Sequence, residues 1–357
     1  MKGDLRYMRR AVTLAQKGLG RTAPNPPVGA VVVKDGRTVG EGFHPGAGLP
    51  HAEVFALNSA GDDAKGATLY VTLEPCSHYG RTPPCVNAVM EAGIARVVVG
   101  SIDPNPIVAG RGIRTLRENG VKVVVGVGKK ETDRLISWYT PWMERKRPFV
   151  IAKAAMTLDG KIAAPSGDSK WISSEASRLY VHELRNHVDA ILVGVGTVLS
   201  DDPLLTCRIQ GGRNPLRVII DPRYVVPEGA KCLGNRAVVF TAKDPLSRPE
   251  IIESGVKVIR LEKGKDERFL WENILSILGG MGLHSVLVEG GSAILSSLIQ
   301  SRLFDELRIF VAPKLLGGGI PLVCWEPPET IAESLHLVIS EARTIGSDVL
   351  ITAHLEE

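Results

Sequence analysis

Cysteine, aromatic side chains, net charge and long apolar runs are all scarce in this 357-residue chain, and each scarcity excludes something. Five cysteines form an odd and sparse set. A disulfide framework is therefore not expected, and reduced thiols in a cytoplasmic protein fit better. Aromatic residues make up 5% and the net charge is only +4. A nucleic-acid binder needs stacking platforms and a strongly basic groove, so nucleic acid is not the expected partner. A mild positive charge does suit an anionic small molecule. No apolar run reaches the roughly 18–20 residues of a membrane helix, and the opening Met-Lys-Gly-Asp-Leu-Arg lacks the apolar region of a secretory signal. No membrane partner is expected. The chain has no internal repeat and no low-complexity segment.

What remains is an ordinary globular composition, 44% hydrophobic and 23% charged. At about 100–200 residues per domain, the length predicts two domains. The charged run Met143-Glu144-Arg145-Lys146-Arg147, closed by Pro148, is the expected junction. It gives domains 1–147 and 148–357. In the first, Leu5, Met8, Val12 and Ala15 recur at helical spacing. Strands are expected over 28–33, 67–73, 96–100 and 121–127, and helices over 51–60 and 85–92, closed by Gly61 and Gly93. In the second, strands are expected over 149–155, 190–195, 216–221, 237–241, 256–261, 285–289, 307–311 and 349–355. Helices are expected over a stretch capped by Ser173 and over about 267–278 and 293–301. Both halves read as α/β, with strands buried on both faces and an antiparallel edge in the second.

Chemistry concentrates in His51-Ala-Glu53, Glu74-Pro-Cys76 and Pro84-Cys85. One imidazole and two thiolates suit zinc, and three protein ligands leave a tetrahedral position open to water. A helix start at Cys85 favours thiolate. Glu53, two residues from His51, is a poor fourth ligand and is better placed as a proton carrier. His-x-Glu followed by Pro-Cys-x-x-Cys marks zinc deaminases of nucleobases. Here eight residues separate Cys76 from Cys85, and His78 in that loop would, as a fourth ligand, make the site structural. Cys207, Cys232 and Cys324 have no spacing partner and read as packing or surface residues. The second half has no Gly-x-Gly-x-x-Gly after its first strand, which argues against a standard dinucleotide fold. Gly194-Val-Gly-Thr197 and Glu289-Gly-Gly-Ser292 follow strands, where backbone N–H groups can cradle phosphate.

The segment Thr72-Leu-Glu-Pro-Cys-Ser-His-Tyr-Gly-Arg-Thr-Pro-Pro-Cys85, with Asn25-Pro-Pro-Val-Gly-Ala30 and His51-Ala-Glu53, closely resembles the deaminase domain of the bifunctional riboflavin-biosynthesis deaminase–reductases. Editing deaminases have the short cysteine loop instead. From Lys153-Ala-Ala-Met-Thr-Leu-Asp-Gly160 onward the second half resembles their reductase domain. The resemblance implies a cytidine-deaminase-like three-layer domain followed by a dihydrofolate-reductase-like α/β domain. It implies zinc and NADPH as cofactors and a phosphorylated pyrimidine as substrate. The pyrimidine is deaminated and its ribosyl group is then reduced to a ribityl chain. Residues 1–147 would carry the deaminase and residues 148–357 the reductase. By the same resemblance Glu53 is catalytic and His51, Cys76 and Cys85 hold the metal. Asn25, His44 and Arg81 then meet substrate in the first half, and Ser169, Arg185, Leu205, Arg208 and Glu289 in the second. Ala155, Trp171, Thr197, Asp201 and the stretch Gly291, Ser292, Ala293, Ile294, Leu295, Ser296 and Ser297 meet the nucleotide. The competing readings are Trp171 as a core residue and Asp201 as part of a helix-capping turn. Two other readings stay open: a zinc deaminase fused to a non-catalytic binding domain, and a nucleic-acid editing deaminase. A homo-oligomer is compatible with all three.

Overall fold

The computed structural model describes residues 2–79, 83–106, 108–264 and 269–356. The chain divides into two compact units, Met1–Arg147 and Pro148–Glu357.

The first unit runs α1 (Lys2–Ala15), β1 (Gly29–Lys34), β2 (Arg37–Phe43), α2 (Ala52–Ala60), β3 (Thr68–Leu73), α3 (Cys85–Glu91), β4 (Arg96–Ser101), α4 (Arg111–Glu118), β5 (Lys122–Val125), α5 (Lys129–Ile136) and α6 (Tyr139–Arg145). Its sheet has the order β2-β1-β3-β4-β5. The first two pairings are antiparallel and the last two parallel. Alternation along the strands divides the core. Ala30, Val32, Leu69, Val71, Val97 and Val99 pack under α2, α3 and α4. Val31, Val33, Tyr70 and Val98 pack against Met8, Ala11 and Leu14 of α1 on the other face. The result is three layers, helices over both faces of the sheet. Burial on both faces holds for β1, β3 and β4, whereas the edge strand β5 is largely exposed and β2 is buried only at Gly40 and Gly42.

Strand β2 is not among the expected strands. Its Gly40 and Gly42 are required by packing. A Cβ on Gly42 would lie 2.4 Å from the Ala52 carbonyl oxygen, and one on Gly40 would lie 2.2 Å from that of Ala56. The small-residue stripe Ala52, Ala56 and Ala60 of α2 thus lies directly on the strand backbone, which fixes the helix start that carries His51 and Glu53. Gly42→Ala should force the two backbones apart. Overpacking costs about 1–3 kcal/mol even between side chains, so thermal unfolding of the variant should begin at a clearly lower temperature. An unchanged melting point would remove this account of the glycine.

The second unit runs β6 (Phe149–Thr157), β7 (Lys161–Ala163), α7 (Glu175–His187), β8 (Ala190–Gly194), α8 (Val195–Asp201), β9 (Leu216–Ile220), β10 (Ala237–Thr241), α9 (Pro249–Glu253), β11 (Lys257–Arg260), α10 (Trp271–Gly280), β12 (Ser285–Val288), α11 (Ser292–Gln300), β13 (Glu306–Ala312), β14 (Ile320–Pro321), β15 (Leu337–Ile345) and β16 (Asp348–Leu355). A nine-stranded sheet has the order β11-β10-β9-β8-β12-β6-β13-β16-β15. All neighbours from β11 to β13 are parallel. β16 and β15 add the antiparallel edge. Val150, Ala152, Leu192, Val218, Phe240 and Val286 share one core with α10 and α11. Ile191, Val193, Ile219 and Val239 face a second core on the opposite side, which also takes in Cys232.

Two boundaries differ from expectation. The cap of α7 is Ser174, not Ser173: its hydroxyl accepts from Ser177 N at 3.3 Å. Helix α10 starts at Trp271, and positions 267 and 268 of the expected helix lie outside the described residues.

Candidate active sites

In the first unit three loops converge beside the sheet. His51 is the cap residue of α2, in extended conformation (φ −76°, ψ 167°). Cys85 opens α3, and Cys76 follows the end of β3. His51 Nδ1 lies 3.2 Å from Cys85 Sγ and 3.5 Å from Cys76 Sγ. The three donor atoms all fall within 4.8 Å of one another. The backbone N–H of Cys85 donates to Cys76 Sγ at 3.3 Å, as expected where a helix N-terminus favours a thiolate. The hydrogen bond between the two sulfurs, against burial and with help from His51, pulls the Cys76 thiol down to about 4. The same bond raises Cys85. A hydrogen bond to Cys76 also raises His51. One soft nitrogen and two sulfurs, converging and partly buried, fit zinc. Among the described residues this group contains no fourth donor, and His78 is not part of it.

Glu53 sits in the first turn of α2, only 3% exposed. Burial pushes its carboxyl up to about 7, against the pull of His51. Glu53, His51 and Cys76 line a cavity of about 350 Å³ together with Asn25 and His44. There the His44 ring is held at both nitrogens. Nδ1 is 3.0 Å from the Pro50 carbonyl, which only accepts, so Nδ1 carries the proton. Nε2, 3.0 Å from Asn25 Nδ2, then accepts from the amide. Burial lowers His44, in keeping with a neutral ring. Arg81 lies outside the described residues.

Sequence reading missed the opposite wall of this cavity, formed by Asp103, Asn105, Tyr139 and Trp142. Asp103 accepts from Asn105 N at 2.8 Å, and burial pushes its carboxyl up to about 6. The turn Asp103-Pro-Asn-Pro106 after a buried strand was the available signal, since strand ends are where α/β sheets place ligands.

In the second unit β8 and β12 are parallel neighbours, so the two glycine-rich turns meet. Gly194 caps α8 and Gly291 caps α11. A Cβ on Gly291 would lie 4.0 Å from Thr197 Oγ1. Gly194 and Gly290 are demanded by packing: a Cβ would approach the Ile294 side chain to 2.7 and 2.6 Å. Ser292 opens α11 with its hydroxyl buried and unpartnered among the described residues. The rest of the stretch turns inward. Leu295 is core, Ser296 accepts from Cys324 N at 2.7 Å, and Ser297 accepts from Trp271 Nε1 at 2.9 Å. Those three side chains are committed to the fold, which leaves Gly291, Ser292 and Ala293 at the open helix end.

Glu289 is gripped by Arg185, with Nε on Oε1 at 2.8 Å and Nη2 on Oε2 at 3.0 Å, and by Lys153 Nζ at 3.5 Å. Lys153 was missed, although a lone lysine in a buried strand is itself a signal. Arg185 also donates to the Thr206 carbonyl, and Arg208 Nε donates to His182 Nε2 at 3.1 Å. Leu205 beside them is buried, with φ +53°. Asp201 ends α8, 3.7 Å from Lys170 Nζ. Trp171 is 59% exposed, with Arg178 stacked 4.5 Å from its ring, so it is no core residue. Ser169 and Ala155 are half-buried.

The cytidine and deoxycytidylate deaminase zinc-binding region matches residues 1–101, and the RibD C-terminal domain matches residues 148–351. Riboflavin biosynthesis protein RibD of Aquifex aeolicus is 45% identical, with 98% of this chain and 97% of that protein covered. RibD of Escherichia coli is 41% identical, with 97% and 98% covered. Among solved structures, RibD of Acinetobacter baumannii superposes with a TM-score of 0.92 at 37% identity, over 100% of this chain and 99% of that one. The Thermotoga maritima diaminohydroxyphosphoribosylaminopyrimidine deaminase/5-amino-6-(5-phosphoribosylamino)uracil reductase gives 0.87 at 40%, over 99% of each chain. With both regions matched in order and relatives this similar along nearly the whole length, the chain belongs to the RibD family, the bifunctional deaminase–reductases of riboflavin biosynthesis.

Proposed function

We propose that residues 1–147 hydrolytically deaminate 2,5-diamino-6-(5-phosphoribosylamino)pyrimidin-4-one and that residues 148–357 then reduce the ribosyl group to ribityl with NADPH. The observation that carries this reading is the convergence of His51, Cys76 and Cys85, the first two lining one cavity with the buried Glu53. Zinc held by those three residues would supply the Lewis acidity that makes water nucleophilic near neutral pH. Glu53 accepts a proton from the attacking water and delivers one to the departing ammonia. Asn25, fixed against neutral His44, orients the pyrimidine. Arg81, between the two cysteines in sequence, is retained as a phosphate contact because guanidinium suits phosphate.

In the second unit NADPH supplies the hydride when bound. Thr197, Gly291, Ser292 and Ala293, at the adjoining helix starts, take the nucleotide phosphates, where backbone N–H groups favour anions. Ala155, Trp171 and Asp201 lie on the resemblance's nucleotide side. Arg185 and Arg208 suit the substrate phosphate, because a planar guanidinium matches it in charge and shape. Ser169, Leu205 and Glu289 complete that wall. A small phosphorylated pyrimidine is the partner on this reading, not nucleic acid or a membrane. Among the described residues no helix is long and apolar enough to cross a membrane. The free cysteines support a reducing, cytoplasmic setting.

The test is ammonia release and NADPH oxidation by the purified chain with this pyrimidine. Cys76→Ser should lose zinc and ammonia release together, while NADPH oxidation on already deaminated substrate persists. Full zinc retention by the variant, measured by elemental analysis, would refute the ligand assignment.

A further inference from the structure

We infer that Glu74 is a positioning residue for the metal ligand Cys76, acting by docking the strand end onto helix α4. Glu74 is 3% exposed, yet among the described residues it neither belongs to the three-donor group nor pairs with a cation. Its two carboxylate oxygens are spent on another element. Oε2 accepts from Gly110 N at 2.9 Å and Oε1 from Ile113 N at 3.2 Å. Helix α4 has no side-chain cap of its own at Gly110. Its orphan N–H groups are therefore satisfied from a strand 36 positions earlier in sequence.

The next residue repeats the contact through its backbone. A Cβ on Gly112 would lie 2.0 Å from the Pro75 carbonyl oxygen and 3.3 Å from Glu74 Oε1. Glu74 and Pro75 are thus pressed on the same helix end, and only a glycine at 112 admits them. Cys76 comes next and is tied from the other side to α3. Its carbonyl accepts from Val86 N at 3.2 Å and its sulfur from Cys85 N at 3.3 Å. The ligand sits between two helix starts, and the carboxylate of Glu74 sets one of them. Removing that carboxylate, or adding a methyl at 112, displaces Cys76 relative to His51 and Cys85.

This inference rests on the proposed zinc site. Its test uses the full chain and two separate changes, Glu74→Gln and Gly112→Ala. Zinc affinity is read by chelator competition, and the Co(II)-loaded protein by its sulfur-to-metal absorption band. Groups that orient a ligand typically contribute about 10–100-fold in metal affinity. Both variants should weaken zinc by at least about tenfold and shift the cobalt band; a third variant, Glu74→Ala, which keeps no acceptor oxygen, should lose more than Glu74→Gln. If Glu74→Ala does not fold, the other two variants decide. Folded variants with native affinity and an unshifted band overturn the inference. If the native chain takes up no zinc, or Cys76→Ser keeps it, the zinc site itself falls and this inference with it.

Discussion

Glu53→Gln should retain a full zinc complement and lose at least about 100-fold in ammonia release, the lower end of what general acid–base catalysis contributes. The amide is nearly isosteric with the carboxylate, so the first turn of α2 and its contact with β2 should survive. What it cannot do is take a proton from water and return it to the leaving amine. The side chain is buried in the wall of the cavity and two residues from His51; Glu74, equally near Cys76 and also on that wall, has both oxygens held by Gly110 N and Ile113 N. NADPH oxidation on deaminated substrate should be unaffected. A variant within tenfold of native ammonia release would show that the proton moves by another route.

Glu289→Ala should abolish NADPH oxidation and also lower the stability of the second unit. The carboxylate answers two cations, Arg185 and Lys153. Removing one partner of a buried ion pair costs about 3–5 kcal/mol, because the remaining charge is left uncompensated. For a unit of about 200 residues that is roughly a 10 °C fall in melting temperature. Burial alone would raise the Glu289 carboxyl, but Arg185 and then Lys153 outweigh it and hold it at about 2, against 4.5 for an unperturbed group. A lowered folded-state pKa stabilises fully above about 4.5, and the gain is lost as pH falls toward about 2. The native chain should therefore lose melting temperature across that window more steeply than the variant. Parallel pH profiles, or normal reductase turnover in the variant, would contradict the assignment.

The elements that were legible in sequence carry their signal locally. Helix α2 shows an alanine stripe and ends at Gly61 (φ +53°), and α3 ends before Gly93 (φ +67°). The central strands carry short apolar runs such as 31–33, 97–99 and 191–193. Strand β2 was illegible because its glycines answer a helix that follows later in the chain. Strand β15 is exposed along nearly its whole length, so burial leaves no alternation to read. The metal ligands could be named because few residue types hold zinc. On the far wall of the cavity only Asp103 had a local signal, the turn that follows β4; Tyr139 and Trp142 are brought to it by tertiary packing. The stretch Gly291 to Ser297 divides between surface and core for a related reason. Helical periodicity turns Leu295, Ser296, Leu298 and Ile299 into the core, so a continuous run of sequence does not remain a continuous surface.

The strand order of the second unit has a consequence for how the chain is made. β6, the first strand to leave the ribosome, is paired on one side with β12 and on the other with β13; Phe149 meets Ser285. It must wait, with both edges unsatisfied, for strands synthesised more than a hundred residues later. Parallel pairing between such distant segments forms slowly and leaves strand edges open to aggregation meanwhile. The first unit closes its sheet within its own 147 residues and has no such delay. Nascent chains will therefore carry a completed first unit well before the second can assemble, and chaperone demand should fall on residues 148 to 312.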